Sequence, residues 1–480
     1  MTATESALSN NQTELHTLEK IFATQKDEFR RAGVPSAHRR IAHLRALAGA
    51  LRRYQDKLAD AISEDYGHRS ADEFKMAELM FTLEGIKYCQ KHVRQWMRPE
   101  KRHVSSLNRP GTARVEYQPL GVVGIIVPWN YPIFLAAGPL TYALAAGNRV
   151  MIKMSGYTPR LGKVFQQMIA EIFPENQVAV INGRGPVSAH FPKLPFNQIT
   201  FTGSTDVGKI VMAEAARNLT PVLLELGGKS PTIVHESYPL DDAAERIALG
   251  KCWNAGQTCV APDHLYLPRG KSSAFIAELR TRVAKMYASL KDNPDYTSII
   301  NEKQYNRLQG YLEDARQRGA TVIELNPGNE TFSGTRKMPI TVVTGVTDEM
   351  ELMKHEIFGP ILPIMEYDDI SSVIERVNAA PHPLALYYFD YDRGRADALI
   401  AQTWSGGATV NDVMTHVVID DLPFGGVGPA GMGRYHGKEG FRSMSNAKGV
   451  LVKSRLYPMR LILPPFNKAS HEFIRRFILK

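Results

Sequence analysis

Cys259 ends the run Asn254-Ala255-Gly256-Gln257-Thr258 and leads into Val260-Ala261-Pro262. Small residues on this approach predict a loop that exposes the thiol and leaves its backbone amide free to donate. That setting suits a thiolate nucleophile for acyl transfer. An inert thiol is the alternative, as it is for Cys89, at core-like helical spacing, and for Cys252 in Gly250-Lys251-Cys252-Trp253. An acyl intermediate needs a base to release it. Glu225 is the lone carboxylate in the apolar strand end Leu223-Leu224-Glu225-Leu226-Gly227-Gly228-Lys229. Burial there would raise its pKa and suit it to general-base work, while an ion pair with Lys229 is the competing assignment. The three cysteines lack C-x-x-C spacing and are too few for a disulfide framework, and no metal-binding cluster is evident.

Two glycine patterns bear on cofactor binding. Gly426-Val427-Gly428-Pro429-Ala430-Gly431 matches G-x-G-x-x-G. It follows Leu422-Pro423-Phe424 near the carboxyl terminus and contains a proline, so it reads as a tight structural turn and not as a dinucleotide fingerprint. Gly203-Ser204-Thr205-Asp206-Val207-Gly208-Lys209 opens like a P-loop, but Ile210 stands where Ser or Thr would hold magnesium and Asp206 would repel phosphate. A nucleotide triphosphatase is disfavoured. The strand Ile199-Thr200-Phe201 before it and the helix after it still suit an anion, because free amides at a helix start can meet a dinucleotide phosphate.

These residues must be held by a large α/β framework. The 480 residues predict roughly three domains, and 44% hydrophobic with 22% charged residues is an ordinary globular composition, which excludes disorder, collagen-like repeats and disulfide-stapled mini-folds. A net charge of +9 with a pI near 9.2 fits ordinary solvated surface. Amphipathic helices are expected over 13–32 and 36–65, and a third opens on the capping box Ser70-Ala71-Asp72-Glu73 and ends before Pro99. Residues 103–118 alternate around a Pro-Gly turn and predict an exposed hairpin. Buried strands alternate with helices over 120–226 and again over 228–425, so βαβ units and parallel sheets are expected twice, with a ligand cleft between them.

Residues 117–148 carry no charge, but Pro119, Pro128, Pro132 and Pro139 and the central Trp129-Asn130 pair argue for strand, turn and core helix instead of a membrane span. The amino terminus shows no basic stretch followed by an apolar one, so no signal peptide is expected. In the tail, Phe473, Ile474, Phe477 and Ile478 fall on one helical face with Arg475, Arg476 and Lys480 opposite. Docking on the protein body or on a dimer partner is favoured there over peripheral membrane contact.

The sequence resembles the aldehyde dehydrogenase superfamily from about residue 15 to about 455. The resemblance rests on Phe201-Thr202-Gly203-Ser204 to Gly208, Glu225 to Lys229 and Gly256-Gln257-Thr258-Cys259. It rests equally on Pro128-Trp129-Asn130, Glu356-Ile357-Phe358-Gly359-Pro360 and Pro423-Phe424-Gly425-Gly426, all in the family order. The thirty-four residues from Glu225 to Cys259 match its base-to-nucleophile interval. Gly431-Met432-Gly433-Arg434-Tyr435-His436-Gly437 is similar to the class 3 branch, and 411–416 with Asp420-Asp421 are similar to bacterial coniferyl aldehyde dehydrogenases.

The resemblance implies two Rossmann-like parallel-sheet domains: a dinucleotide-binding one from 1–102 and 119–226 and a catalytic one from 227–430. It adds a small β oligomerisation element from 103–118 and 445–457, in which Gly449-Val450-Leu451-Val452 pairs with the hairpin, followed by a tail over 458–480. It implies that Cys259 attacks the aldehyde, that Asn130 and the Cys259 amide hold the oxyanion at roughly 3 kcal/mol per donor, and that Glu225 activates water to cleave the thioester left by hydride transfer to nicotinamide. Cofactor contacts implied are Trp129, Lys153 at the adenine ribose with Ser155 as a donor beside it, Gly203, Ser204 and Gly208 near the pyrophosphate, and Glu356 and Phe358 at the nicotinamide ribose.

Tyr131, Leu135, Thr258, Val260, His416 and Phe424 would line the substrate funnel, with His416 donating to a phenolic oxygen. The favoured substrate is coniferyl or another aromatic or medium-to-long-chain aldehyde. Strict NAD users in the superfamily often carry glutamate three residues after the ribose-binding lysine. Gly156 stands there, so NAD is expected and NADP tolerated. A homodimer, no nucleic-acid partner and a cytoplasmic location complete the expectation. A coenzyme A-acylating relative would lack Glu225, and a non-catalytic binding protein on the same fold would not keep Cys259, Asn130 and Glu225.

Overall fold

The structure, a computed structural model, describes residues 3–105 and 108–478. Helix Ala37–Tyr66 shows how the pattern becomes packing. Leu44, Leu47, Leu51, Leu58 and Ile62 recur at helical spacing and are fully buried, and Ser36 caps the start by accepting from the Arg39 amide. Ser70 caps the next helix in the same way, accepting from the Glu73 amide at 3.2 Å. That helix is not uniform to Trp96: an α-turn over Ala71–Phe74 passes through a π-helical segment, Lys75–Met80, before α-helix resumes at Phe81. The wider turn carries the Glu78 carboxyl into the interior, and no local sequence signal announces it.

Three sheets follow. In the first, β3 (Val122–Ile126), β4 (Arg149–Lys153), β5 (Val178–Ile181), β6 (Gln198–Gly203) and β7 (Val222–Leu226) run parallel, and β15 (Gly431–Met432) closes one edge antiparallel in the order β15-β7-β6-β3-β4-β5. The order reverses about β3, which opens a crevice at the carboxyl ends of the strands. The second sheet comprises β8 (Pro231–Val234), β9 (His264–Pro268), β10 (Thr321–Leu325), β11 (Ile340–Thr344), β12 (Ile361–Tyr367), β13 (Ala385–Phe389) and β14 (Gly407–Val410), parallel except at β10. The third is antiparallel: β1 (Glu100–Arg102), β2 (Thr112–Pro119) and β16 (Ser445–Val452). The expected hairpin is therefore shifted, since its first arm is Glu100–Arg102 and lies before residue 103, and β16 pairs along the whole of β2 and not over 449–452 alone.

The glycine run 426–431 forms a 3₁₀ turn leading into β15, with Gly431 opposite Glu225. Only four residues link β7 to β8, so Glu225 at the end of the first sheet lies close to the loop before β9 that carries Cys259. One apolar core runs through Leu223 into both layers. Among the described residues, no helix is long and apolar enough to cross a membrane.

Candidate active site

The loop 253–259 is held in a conformation its residues do not favour alone. Asn254 and Ala255 have φ of +48° and +49°, and Gly256 has φ +71°, where a Cβ would overlap the Gly359 carbonyl. Buried hydrogen bonds over-determine it. The Gln257 side chain donates to the Asn254 and Ser298 carbonyls at 2.9 and 3.1 Å and accepts from the Ile300 amide at 3.0 Å. The Glu73 carboxylate accepts from the Asn254 amide at 3.0 Å. Tyr131 and Thr258 share a hydroxyl hydrogen bond of 2.9 Å beside the thiol.

A buried cation joins this loop to Asn130. Arg69, 1% exposed, pairs with Glu78 at 2.9 Å, lies 3.7 Å from Glu73 and donates to the Asn130 carbonyl at 2.9 Å. Glu78 also accepts from the Ile133 and Phe134 amides at 2.7 and 3.1 Å, anchoring the start of helix Pro132–Ala146. The Asn130 side-chain amide is aligned by donating to the Gln257 carbonyl at 3.2 Å. Arg69 and Glu78 were not singled out in the sequence, and Glu73 only as the end of a capping box, whereas its carboxylate meets the Asn254 amide; Glu73 and Glu78 stand at i and i+5, a spacing that gives no reason to expect them together.

Cys259 stands between two cavities. The first, about 150 Å³ and almost wholly apolar, is lined by Tyr131, Phe134, Leu135, Trp253, Val260 and Phe424 among others. The second, about 220 Å³ and more polar, is lined by Trp129, Asn130, Gly203, Ser204, Arg307, Glu356 and Phe358. Both are bounded by Cys259, Glu225, Thr202 and Leu226. Burial, with the Glu356 and Glu225 carboxylates nearby, pushes the Cys259 thiol up to about 12. Burial therefore favours the protonated thiol at rest.

Glu225 is 2% exposed and neither carboxyl oxygen has a hydrogen-bond partner. Burial raises its pKa well above the usual carboxylate range, and Arg434 offsets this only in part. The ion pair with Lys229 does not form: Lys229 pairs with Asp263 and donates to the Leu352 and His355 carbonyls, each at 2.9 Å. Burial is also the largest cause that lifts Glu356, to about 8, and its carboxylate fills the space that a Gly227 side chain would take. Phe358, at φ +48°, sets its ring against Trp129 at 5.3 Å.

The remaining cofactor-side residues divide. Ser204 stands at the start of helix Thr205–Ala216 without a side-chain cap, so the first amides there have no side-chain acceptor. Gly208 is turned inward, where a Cβ would lie 2.7 Å from Leu226; it sets helix packing and does not line the cavity. Lys153 ends β4 with its ammonium on the Met154 and Gly183 carbonyls, each at 2.7 Å, and burial lowers it to about 8. Ser155 accepts from the Tyr157 amide at 3.2 Å. Beside it, Arg184 donates to the Gly156 carbonyl and covers the Tyr157 ring at 5.5 Å, in space that any side chain at 156 would claim.

His416 departs from expectation. The 3₁₀ turn Thr415–Val418 points its ring away from the cavity, toward Thr409 at 3.0 Å, and packs it against Phe424 and Tyr387. Burial lowers it to about 4, so it stays neutral. It does not line the apolar cavity; Val413, Met414, Val417, Val418 and Tyr435 do. Asn411 and Met414, at φ +59° and +64°, turn this segment, and no sequence pattern announces that.

Residues 4–450 match the family model described as the aldehyde dehydrogenase family. A probable coniferyl aldehyde dehydrogenase of Pseudomonas aeruginosa is 49% identical over the full length of both chains. The structure of Staphylococcus aureus AldH in a substrate-bound state superposes with a TM-score of 0.90 at 36% identity, covering 96% of this chain and 99% of that one. A Mycobacterium tuberculosis aldehyde dehydrogenase complexed with NAD+ superposes with a TM-score of 0.83 at 27% identity, covering 92% and 91%.

Proposed function

The chain belongs to the aldehyde dehydrogenase family and oxidises aldehydes with NAD(P), and from that premise we propose how its residues divide the reaction. The observation that carries the reading is a thiol shared by an apolar and a polar cavity, with the unpartnered Glu225 carboxyl on the boundary. An aldehyde enters on the apolar side. Cys259 gives its proton to solvent and its sulfur bonds to the carbonyl carbon, while the oxygen takes the electron pair and meets the Asn130 side-chain amide and the Cys259 backbone amide. When bound, the nicotinamide dinucleotide accepts the hydride. The thioester left on Cys259 is then cleaved by water that gives a proton to Glu225, and the thiol leaves with the carboxylic acid released. Arg69, through Asn130 and the Glu73-anchored loop, keeps donor and nucleophile in register.

The fit to a dinucleotide rests on the uncapped helix start at Ser204, on Glu356 seated over Gly227, and on the Trp129–Phe358 edge. We assign NAD as cofactor with NADP accepted, because Gly156 carries no carboxylate and its neighbour Arg184 is a cation suited to phosphate. The substrate is an aryl or medium-to-long-chain aldehyde, with coniferyl aldehyde favoured: the cavity walls are aromatic and aliphatic, and the Pseudomonas aeruginosa relative bears that name. Comparing kcat/KM for coniferyl aldehyde, benzaldehyde and octanal tests this, and a strong preference for acetaldehyde overturns it.

A homodimer fits the exposed apolar run Leu451, Val452, Leu456, Leu461, Leu463 and Phe466 on and after β16, and so does a docking role for the tail. In helix Ala469–Ile478 the described side chains include Phe473, 63% exposed, whereas residue 477 onward lies outside the described side chains. Three free cysteines suit a cytoplasmic location.

A further inference from the structure

The chemistry above makes no use of Asp420. This residue lines a small cavity beside the substrate cavity. The two share Phe81, Phe134, Val417 and Val418 as walls, while Cys259 and Glu225 line only the larger one. In the smaller cavity the threonine hydroxyls are committed as donors and the Tyr142 oxygen is engaged as an acceptor. Thr82 donates to the Glu78 carbonyl at 2.6 Å, Thr141 donates to the Ala137 carbonyl at 2.7 Å, and Tyr142 accepts from the Gly437 amide at 3.1 Å.

Two polar groups there are not committed. Asp420 is half-buried with Oδ1 toward Gly85, where a Cβ would lie 3.1 Å away, and no donor among the described residues reaches its carboxylate. His436, 6% exposed, forms another part of the wall, and its Nδ1 has no partner. Burial, with Glu84 and Asp421 close by, raises the Asp420 carboxyl to about 6, so it is largely ionised at neutral pH and seeks a donor. An aldehyde whose carbonyl rests at Cys259 would bring its other end to this unmet acceptor by passing between the shared walls.

We propose that Asp420 accepts a hydrogen bond from a hydroxyl at the far end of an aryl aldehyde, making the protein selective for 4-hydroxylated aromatic aldehydes. This rests on the aryl-aldehyde reading above and replaces His416 as the group that meets the phenol. A phenol O–H is a donor, and a carboxylate is the stronger partner for it. Hydrogen bonds to charged groups predict a preference of about tenfold or more.

The test measures kcat/KM for 4-hydroxycinnamaldehyde and cinnamaldehyde, with the affinities of the two product acids measured by calorimetry, in the parent, Asp420→Ala and Asp420→Asn. The parent is expected to prefer the hydroxylated member of each pair by about tenfold, Asp420→Ala to bring both ratios near one, and Asp420→Asn to fall between. A parent ratio near one, or a ratio kept by Asp420→Ala, overturns the role of Asp420 alone. A parent that oxidises neither aldehyde overturns the aryl-aldehyde reading itself.

Discussion

Replacing Glu225 by Gln separates the two halves of the reaction. Both carboxyl oxygens are buried without partners, so the isosteric amide breaks no ion pair or hydrogen bond and the site keeps its shape. Losing a general base typically costs about 10²–10⁴ in rate, or about 3–5 kcal/mol. Deacylation should bear most of this, since water must surrender a proton to become the nucleophile. Rapid mixing with aldehyde and NAD should show about one NADH per subunit in a burst, followed by a steady state slower by that factor. Intact-mass measurement should find an acyl adduct on Cys259.

Stability supplies a second readout. The folded-state pKa of Glu225 lies above its unfolded value because burial disfavours the charged form. Its contribution is therefore fully present below the ordinary carboxylate range and is lost as pH rises through the raised value. Glu225→Gln removes that loss, so the variant should match the parent at acid pH and be the more stable of the two at alkaline pH. Steady-state turnover within about tenfold of the parent, with no adduct on Cys259, would refute the assignment of Glu225 as base.

Cys259→Ser should abolish aldehyde-dependent NADH formation while dinucleotide still binds by fluorescence titration; more than a trace of activity would remove Cys259 from the nucleophile position. Gly156→Glu should displace Arg184 and depress kcat/KM with NADP by about tenfold or more relative to NAD. A parent preference for NAD beyond about a thousandfold, roughly 4 kcal/mol, would instead defeat the proposed tolerance of NADP. Arg69→Met should cost about 3–5 kcal/mol in chemical denaturation, because it strands Glu73 and Glu78 in the interior. Ending the chain at Tyr457 should change stability or oligomeric state by light scattering, and no change in either would exclude a docking role for the tail.

Sequence alone determined the strand rhythm and the helix start at Ser70, and it singled out Cys259 and Glu225 as the residues proposed for nucleophile and base. Each is written in a short stretch whose residue types carry their own physical reason: alternating apolar runs, a hydroxyl three residues before an amide, a thiol after small residues, a carboxylate alone in an apolar strand. Tertiary structure decided what depends on partners far along the chain. Lys229 was drawn to Asp263 rather than to its near neighbour Glu225, because Asp263 immediately precedes β9, which lies beside β8 in the second sheet. Arg69 meets Glu78 only through the π turn, and Asn130 only across the core. His416 lost its place in the substrate cavity to the direction of one 3₁₀ turn, set by left-handed residues at 411 and 414. Local chemistry follows from residue type and spacing, whereas the partner a buried charge finds follows from packing, which brings distant residues within hydrogen-bond reach.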